Sequence, residues 1–128
     1  MTKILIVEDD QTLRDVYALI LQISGYDIDT ASNGLQALEK YHANSYDVIL
    51  LDLMMPELDG VGFLQQAQVA KHTPELKVII FSNLSSGELL DKAFDLGAHE
   101  HVLKANLTPE GLITVIQELT GQAAPVPD

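Results

Sequence analysis

The chain has 128 residues, 47% of them hydrophobic and none of them cysteine, and 7 basic against 19 acidic residues give a formal charge of −12. That size suits one domain with its own core. The lack of thiols excludes a disulfide framework, and the scarcity of Lys and Arg excludes direct nucleic-acid binding, which rests on neutralising phosphates. No apolar run reaches the roughly eighteen residues needed to span a membrane, and the run after Met1-Thr2-Lys3 is too short for a secretory signal, so a cytoplasmic protein is expected.

Ile4–Val7 is continuous and apolar, as a strand covered on both faces is, and Glu8-Asp9-Asp10 follows it. Asp10 is placed to cap a first helix with an apolar stripe of Leu13, Val16, Tyr17, Ile20 and Leu21, and Gly25 to end it. Tyr26–Ala31 alternates polar with apolar residues and suits a strand near a sheet edge. Val48–Leu51 is a third strand, ending in Asp52; Gly60 is expected to relax the loop before the third helix. Val78–Phe81 is a fourth, ending in Ser82-Asn83, and Ser85 with Glu88 has capping-box spacing for the helix that Gly97 should stop. His101–Leu103 is a short fifth run, ending in Lys104. Thr108-Pro109-Glu110 then supplies a cap, a first-turn proline and an early acid to a last helix with the stripe Leu112, Val115, Ile116 and Leu119. Residues 1–120 therefore form one domain, and 121–128, with Pro125 and Pro127, are expected to be a flexible tail. The regular alternation predicts an α/β fold, a parallel sheet with helices on both faces.

Ligands of open α/β sheets gather beyond the carboxyl ends of the strands. Here those ends carry Glu8-Asp9-Asp10, Asp52, Ser82 and Lys104. Crowded carboxylates repel unless a cation joins them, and hard oxygen donors suit Mg²⁺. A divalent ion beside a lysine attracts a phosphoryl group, with Asp52 as the nucleophile and Ser82 and Lys104 on the phosphoryl oxygens. His42, His72, His99 and His101 share no zinc-ligand spacing.

Ile4-Leu5-Ile6-Val7-Glu8-Asp9-Asp10, Asp47 to Pro56 with Asp59-Gly60, then Gly97-Ala98 and Lys104 resemble the receiver domain of two-component response regulators over residues 3 to 120, in its stand-alone form. The resemblance implies a doubly wound, flavodoxin-like sheet in the order 2-1-3-4-5, with helices one and five on one face and two to four on the other. It implies Mg²⁺ held directly by Asp9, Asp52 and the Met54 backbone carbonyl, with Glu8 acting through water and Asp10 left as the helix cap. It also implies phosphoryl transfer to Asp52 from a histidine kinase or a histidine phosphotransfer protein. Ser82 and Lys104 hold the catalytic hydroxyl and lysine positions. Ser82 and His101 hold the switch positions, and the signal leaves through protein contacts on the face of helix four, strand five and helix five. Such a protein is a signalling switch that catalyses only its own phosphorylation and dephosphorylation.

Three rival readings are weaker. A phosphorylation-independent receiver-like interaction module would not need the complete Glu8, Asp9, Asp52, Ser82 and Lys104 set. A haloacid-dehalogenase phosphatase needs a second aspartate where Met54 stands, and a flavodoxin-type FMN carrier needs a hydroxyl-rich loop where this chain is acidic. Asn83, His101 and Ala105 depart from the family pattern, which has a small residue, an aromatic and a proline there. A cis bond before alanine costs roughly 2.5–4 kcal/mol, so Lys104–Ala105 is expected to be trans, with Asn106 helping by a left-handed backbone and Lys104 still aimed at Asp52.

Overall fold

The apolar runs form five parallel strands, β1 (Lys3–Val7), β2 (Asp27–Ala31), β3 (Val48–Leu51), β4 (Lys77–Ser82) and β5 (Glu100–Leu103), in the order β2-β1-β3-β4-β5. The computed structural model describes residues 2–84 and 86–122. Five helices connect and follow the strands: α1 (Gln11–Ile23), α2 (Gly34–Ala43), α3 (Gly60–Ala67), α4 (Glu88–Asp95) and α5 (Pro109–Thr120). Two further turns are helical, Val69–His72 and a tight 3-10 turn over Lys104–Asn106.

Successive side chains of a strand point to opposite faces, and this divides the core in two. Leu5, Val7, Ile49, Leu51, Val78 and Ile80 face α2, α3 and α4. Ile4, Ile6, Val48, Leu50, Ile79 and Phe81 face α1 and α5. Helices one and five thus share one face and two to four the other, as expected. The central strands β1 and β3 are buried throughout from residue 4 and residue 48 onward, whereas the edge strands β2 and β5 are largely half-buried.

Caps set the helix ends. Asp10 accepts the Leu13 N–H at 3.0 Å and Thr108 the Gly111 N–H at 3.0 Å, while Asn33 and Asp59 cap α2 and α3 in the same way. Gly25 (φ 96°) and Gly97 (φ 113°) end α1 and α4 in the left-handed region, each with the following N–H returning to a carbonyl five residues back. Several expectations change. Helix α4 begins at Glu88 behind Gly87, so Glu88 is the first helical residue and not the third, and among the described residues no side chain caps the helix; Ser85 lies outside them. Tyr17 and Leu21 are buried, but Val16, expected in the same stripe, is 47% exposed. Of the tail, residues 123–128 lie outside the described residues.

Gly60 has a different reason from the loop freedom expected of it. It is the first residue of α3 and pairs its N–H with the Leu53 carbonyl at 3.1 Å. A Cβ there would meet the Asp52 carbonyl oxygen at 2.5 Å and the Leu53 Cα at 2.9 Å. Gly34 is equally constrained: its N–H bonds the Leu58 carbonyl, and a Cβ would meet that oxygen at 2.2 Å. Two backbone approaches therefore clamp the segment that follows Asp52. A Cβ at Gly62 would instead press on the far end of the Leu58 side chain. Gly60→Ala should lower the urea unfolding free energy by about 1–3 kcal/mol. Gly62→Ala should be neutral or gain up to about 1 kcal/mol from helix propensity. Equal effects of the two would show that the backbone clamp is not what needs Gly60.

Candidate functional site

The sheet register brings the polar strand ends together. Val7 pairs with Leu51, and the next residues continue inward: Glu8 N–H bonds the Ala31 carbonyl and Asp52 N–H the Val7 carbonyl, both at 3.1 Å. Both acids are therefore held by the ladder itself, at 0% exposure for Glu8 and 3% for Asp52. Across the sheet, β4 ends in Ser82, paired with Leu103, and Lys104 follows. Glu8, Asp9, Asp52, Ser82, Asn83 and Lys104 line one cleft beyond the strand ends.

Lys104 is the electrostatic hinge of this cleft. Its Nζ lies 2.6 Å from Glu8 Oε1 and donates to Asp52 Oδ2 at 3.1 Å. The Glu8 contact is a close, buried ion pair that engages Oε1 directly. The same ammonium sits 4.9 Å from the centroid of the buried Phe81 ring, which Tyr17 meets edge-on at 5.6 Å. Burial works against charge on Lys104, but hydrogen bonds and charges from Glu8 and Asp52 outweigh it and raise its pKa above the ordinary lysine value. Burial pushes the Glu8 carboxyl up to about 7, with the Lys104 contact acting against the shift.

The backbone fixes the remaining acceptors. Glu8 Oε2 accepts the Asp10 N–H at 3.2 Å, and Arg14 Nη1 donates to the Glu8 carbonyl at 2.9 Å. Asp52 Oδ1 accepts the Met54 N–H at 3.2 Å, and Met54 itself is 62% exposed at the cleft mouth. Ser82 Oγ accepts the Leu84 N–H at 3.0 Å, which leaves the hydroxyl proton to donate. Arg14 and Phe81 carry no sequence signal as site residues: one acts through its reach along a helix, the other as the wall behind a lysine far along the chain.

The Lys104–Ala105 peptide is trans, and Lys104 still points at Asp52, as expected. Asn106 is not left-handed; Lys104–Asn106 instead makes the 3-10 turn, and the Asn83 Oδ1 accepts the Ala105 N–H at 3.1 Å. His101 lies on β5 opposite Ile80, on the face that carries α4, half-buried and with a buried Nε2 that has no partner among the described residues.

A carboxylate oxygen from each of Glu8, Asp9 and Asp52 lies within 4.8 Å of the others. With all three ionised, Lys104 offsets one charge of three and leaves two, which a divalent cation balances. Asp9 is exposed at the mouth, while Glu8 and Asp52 are buried behind it. Hard oxygen donors in this number fit Mg²⁺, which takes one or two carboxylates and keeps several waters.

The family model for the response regulator receiver domain matches residues 4–117. The chain belongs to the receiver domain family of response regulators. The receiver is 40% identical over 106 residues to the response regulator ArlR of Staphylococcus saprophyticus subsp. saprophyticus, covering 81% of this chain and 46% of that protein. It is 35% identical over 102 residues to the transcriptional regulatory protein CpxR homolog of Haemophilus influenzae, covering 78% and 42%. This receiver thus spans less than half the length of these curated relatives. Among solved structures, the chemotaxis protein CheY4 of Vibrio cholerae superposes with a TM-score of 0.85 at 28% identity, covering 93% of this chain and 98% of that one. The response regulator protein TrrA of Thermotoga maritima, solved in complex with Mg²⁺-BeF, gives 0.80 at 30% identity, covering 93% and 99%. Among the described residues no helix is long and apolar enough to cross a membrane.

The receiver's buried glutamate predicts a pH dependence. Glu8 binds its proton more tightly when folded, so its contribution to stability is complete below about pH 4.5 and is lost as the pH rises through about 7. His99 works the other way. Its Nδ1 accepts the Val78 N–H at 3.1 Å and burial lowers its pKa, so its contribution is present above the ordinary value of 6.5 and lost as the pH falls. Between about pH 6.5 and pH 8, in EDTA, unfolding free energy should decline, and Glu8→Gln should flatten that decline. An unchanged slope in the variant would assign it to another group.

Proposed function

We propose that this receiver takes up a phosphoryl group on Asp52 from the phosphohistidine of a histidine kinase or histidine phosphotransfer protein, with Mg²⁺ as cofactor. One observation carries the reading: a buried, ladder-held Asp52 carboxylate with the Lys104 ammonium at 3.1 Å and the Glu8–Asp9 pair beside it. Asp9, Asp52 and the Met54 carbonyl would hold the ion directly and Glu8 through water; when bound, it supplies charge neutralisation for the carboxylates and the phosphoryl oxygens.

The chain's own groups do the rest. A carboxylate oxygen of Asp52 forms a bond to phosphorus as the phosphorus–nitrogen bond breaks, leaving its electron pair on the imidazole nitrogen, so that an acyl phosphate results. Lys104 meets the negative charge on the phosphoryl oxygens, and Ser82 donates its hydroxyl proton to one of them. The ladder hydrogen bonds at Glu8 and Asp52 fix the backbone from which the nucleophile projects, and the Lys104 and Met54 contacts hold its carboxylate, which converts binding into correct orientation. The protein is a switch that turns over only its own phosphate. The phosphorylation-independent interaction module has no use for a lysine held between two buried carboxylates.

Incubation with acetyl phosphate and Mg²⁺ should add one phosphoryl group by intact mass, and Asp52→Ala should take up none. Labelling that survives either that substitution or EDTA would overturn the reading.

The proposed output surface is α4, β5 and α5, with Ser82 and His101 as the coupled pair. The position of His101 on β5, half-buried on the face that carries α4, supports this, since a change at the end of β4 can reach it through the neighbouring strand. His101→Ala should weaken the preference of captured partners for beryllofluoride-treated over untreated protein by severalfold; an unchanged preference would remove His101 from the switch.

A further inference from the structure

We propose that Asn83 is a positioning residue for Lys104, acting through the backbone of Ala105; the proposal rests on the phosphoacceptor reading above. Asn83 follows Ser82 and Ala105 follows Lys104, so each is next to a group assigned to the phosphoryl oxygens. The β4–β5 ladder pairs Ser82 with Leu103 and goes no further. One residue beyond, the Asn83 Oδ1 takes the Ala105 N–H at 3.1 Å, so a side chain continues the link where the two backbones part.

Lys104 needs such a link. It opens the three-residue turn Lys104–Asn106, and the first N–H groups of a helical turn have no partner within it. Ala105 N–H is one of these, and Asn83 satisfies it. Within the turn the closing bond is long, Leu107 N–H to the Lys104 carbonyl at 3.3 Å, so the turn does little to orient itself. From that base Lys104 must carry its ammonium to Glu8 and Asp52, and ordering a long flexible side chain is entropically costly. A base fixed by Asn83 reduces what remains to be ordered. The same bond joins the hydroxyl's neighbour to the ammonium's neighbour, so both phosphoryl-binding groups share one frame. Two identities are required together: residue 83 must offer a planar acceptor of this reach, and residue 105 must keep an N–H, which proline lacks.

The full chain should be titrated with beryllofluoride at saturating Mg²⁺, and separately with Mg²⁺ alone. Asn83→Ala should raise the half-saturating beryllofluoride concentration about fivefold, the equilibrium weight of one neutral hydrogen bond, while Mg²⁺ affinity stays close to wild type. Ala105→Pro should weaken beryllofluoride binding comparably, and the double variant should lose no more than the weaker-binding single variant, because both remove one bond. In the metal-free protein, exchange of the Ala105 amide should accelerate in Asn83→Ala and be restored in Asn83→Asp, which retains the acceptor. Equal beryllofluoride affinity in wild type and Asn83→Ala, or additive losses in the double variant, would overturn the positioning role alone. A wild type that binds no beryllofluoride would remove the phosphoacceptor reading, and this inference with it.

Discussion

Glu8 and Asp52 are two carboxylates buried side by side at the edge of a sheet, with one ammonium between them, and the rest of the molecule can be understood as what makes that tolerable. Buried like charges interact far more strongly than they do in water, and each also loses hydration. Burial accordingly raises the proton affinity of Glu8. Lys104 offsets part of it, the backbone N–H groups of Asp10 and Met54 another part, and Arg14 steadies the Glu8 backbone. The N–H donors lie two residues beyond the acids they serve, whereas Lys104 reaches both acids from the end of β5. The site exists only when β1, β3 and β5 are in register, so folding and site assembly are one event.

The alternation of the strands keeps this charged edge apart from the packing. Each strand sends one parity of side chains to each of two cores, and a chemically useful residue within a strand would have to displace a core residue on one face. Beyond the last ladder residue that restriction lapses. Glu8, Asp52 and Lys104 all occupy the first position past a strand, and Ser82 the last position of one. The loop after Asp52 is then clamped by close backbone contacts at Gly34 and Gly60, which transmit the position of α2 and α3 to the nucleophile.

Most of the fold was legible because it depends on short-range patterns. Continuous apolar runs, capping acids and stop glycines each act over a few residues, and Asp10, Gly25, Gly97 and Thr108 do what their local chemistry requires. The strand-end acids were legible because an abrupt passage from apolar to charged marks a sheet edge. Features decided by approach in space were hidden. Gly60 looks like a hinge from its neighbours but is a contact, Phe81 looks like core but also faces an ammonium, and Val16 fits the helical period yet remains exposed. The break at Gln68, left-handed at φ 50°, is likewise invisible locally, because glutamine has no preference for that conformation and the surrounding packing imposes it. Asn106 is not left-handed for a related reason: Asn83, just past the end of β4, satisfies the turn from outside it.

The stack of Tyr17, Phe81 and Lys104 has a consequence for how this protein can be observed. The chain contains no tryptophan and only 4 tyrosines, so phenol emission is not drained by energy transfer to indole. All 4 are buried, and Tyr17 lies 5.6 Å from Phe81, within the influence of the charges of Lys104 and Glu8. Any event that draws the ammonium off the Phe81 face alters the field at the phenol ring. Tyr17 is thus one native chromophore placed beside the charged edge, on the side of the sheet away from α4.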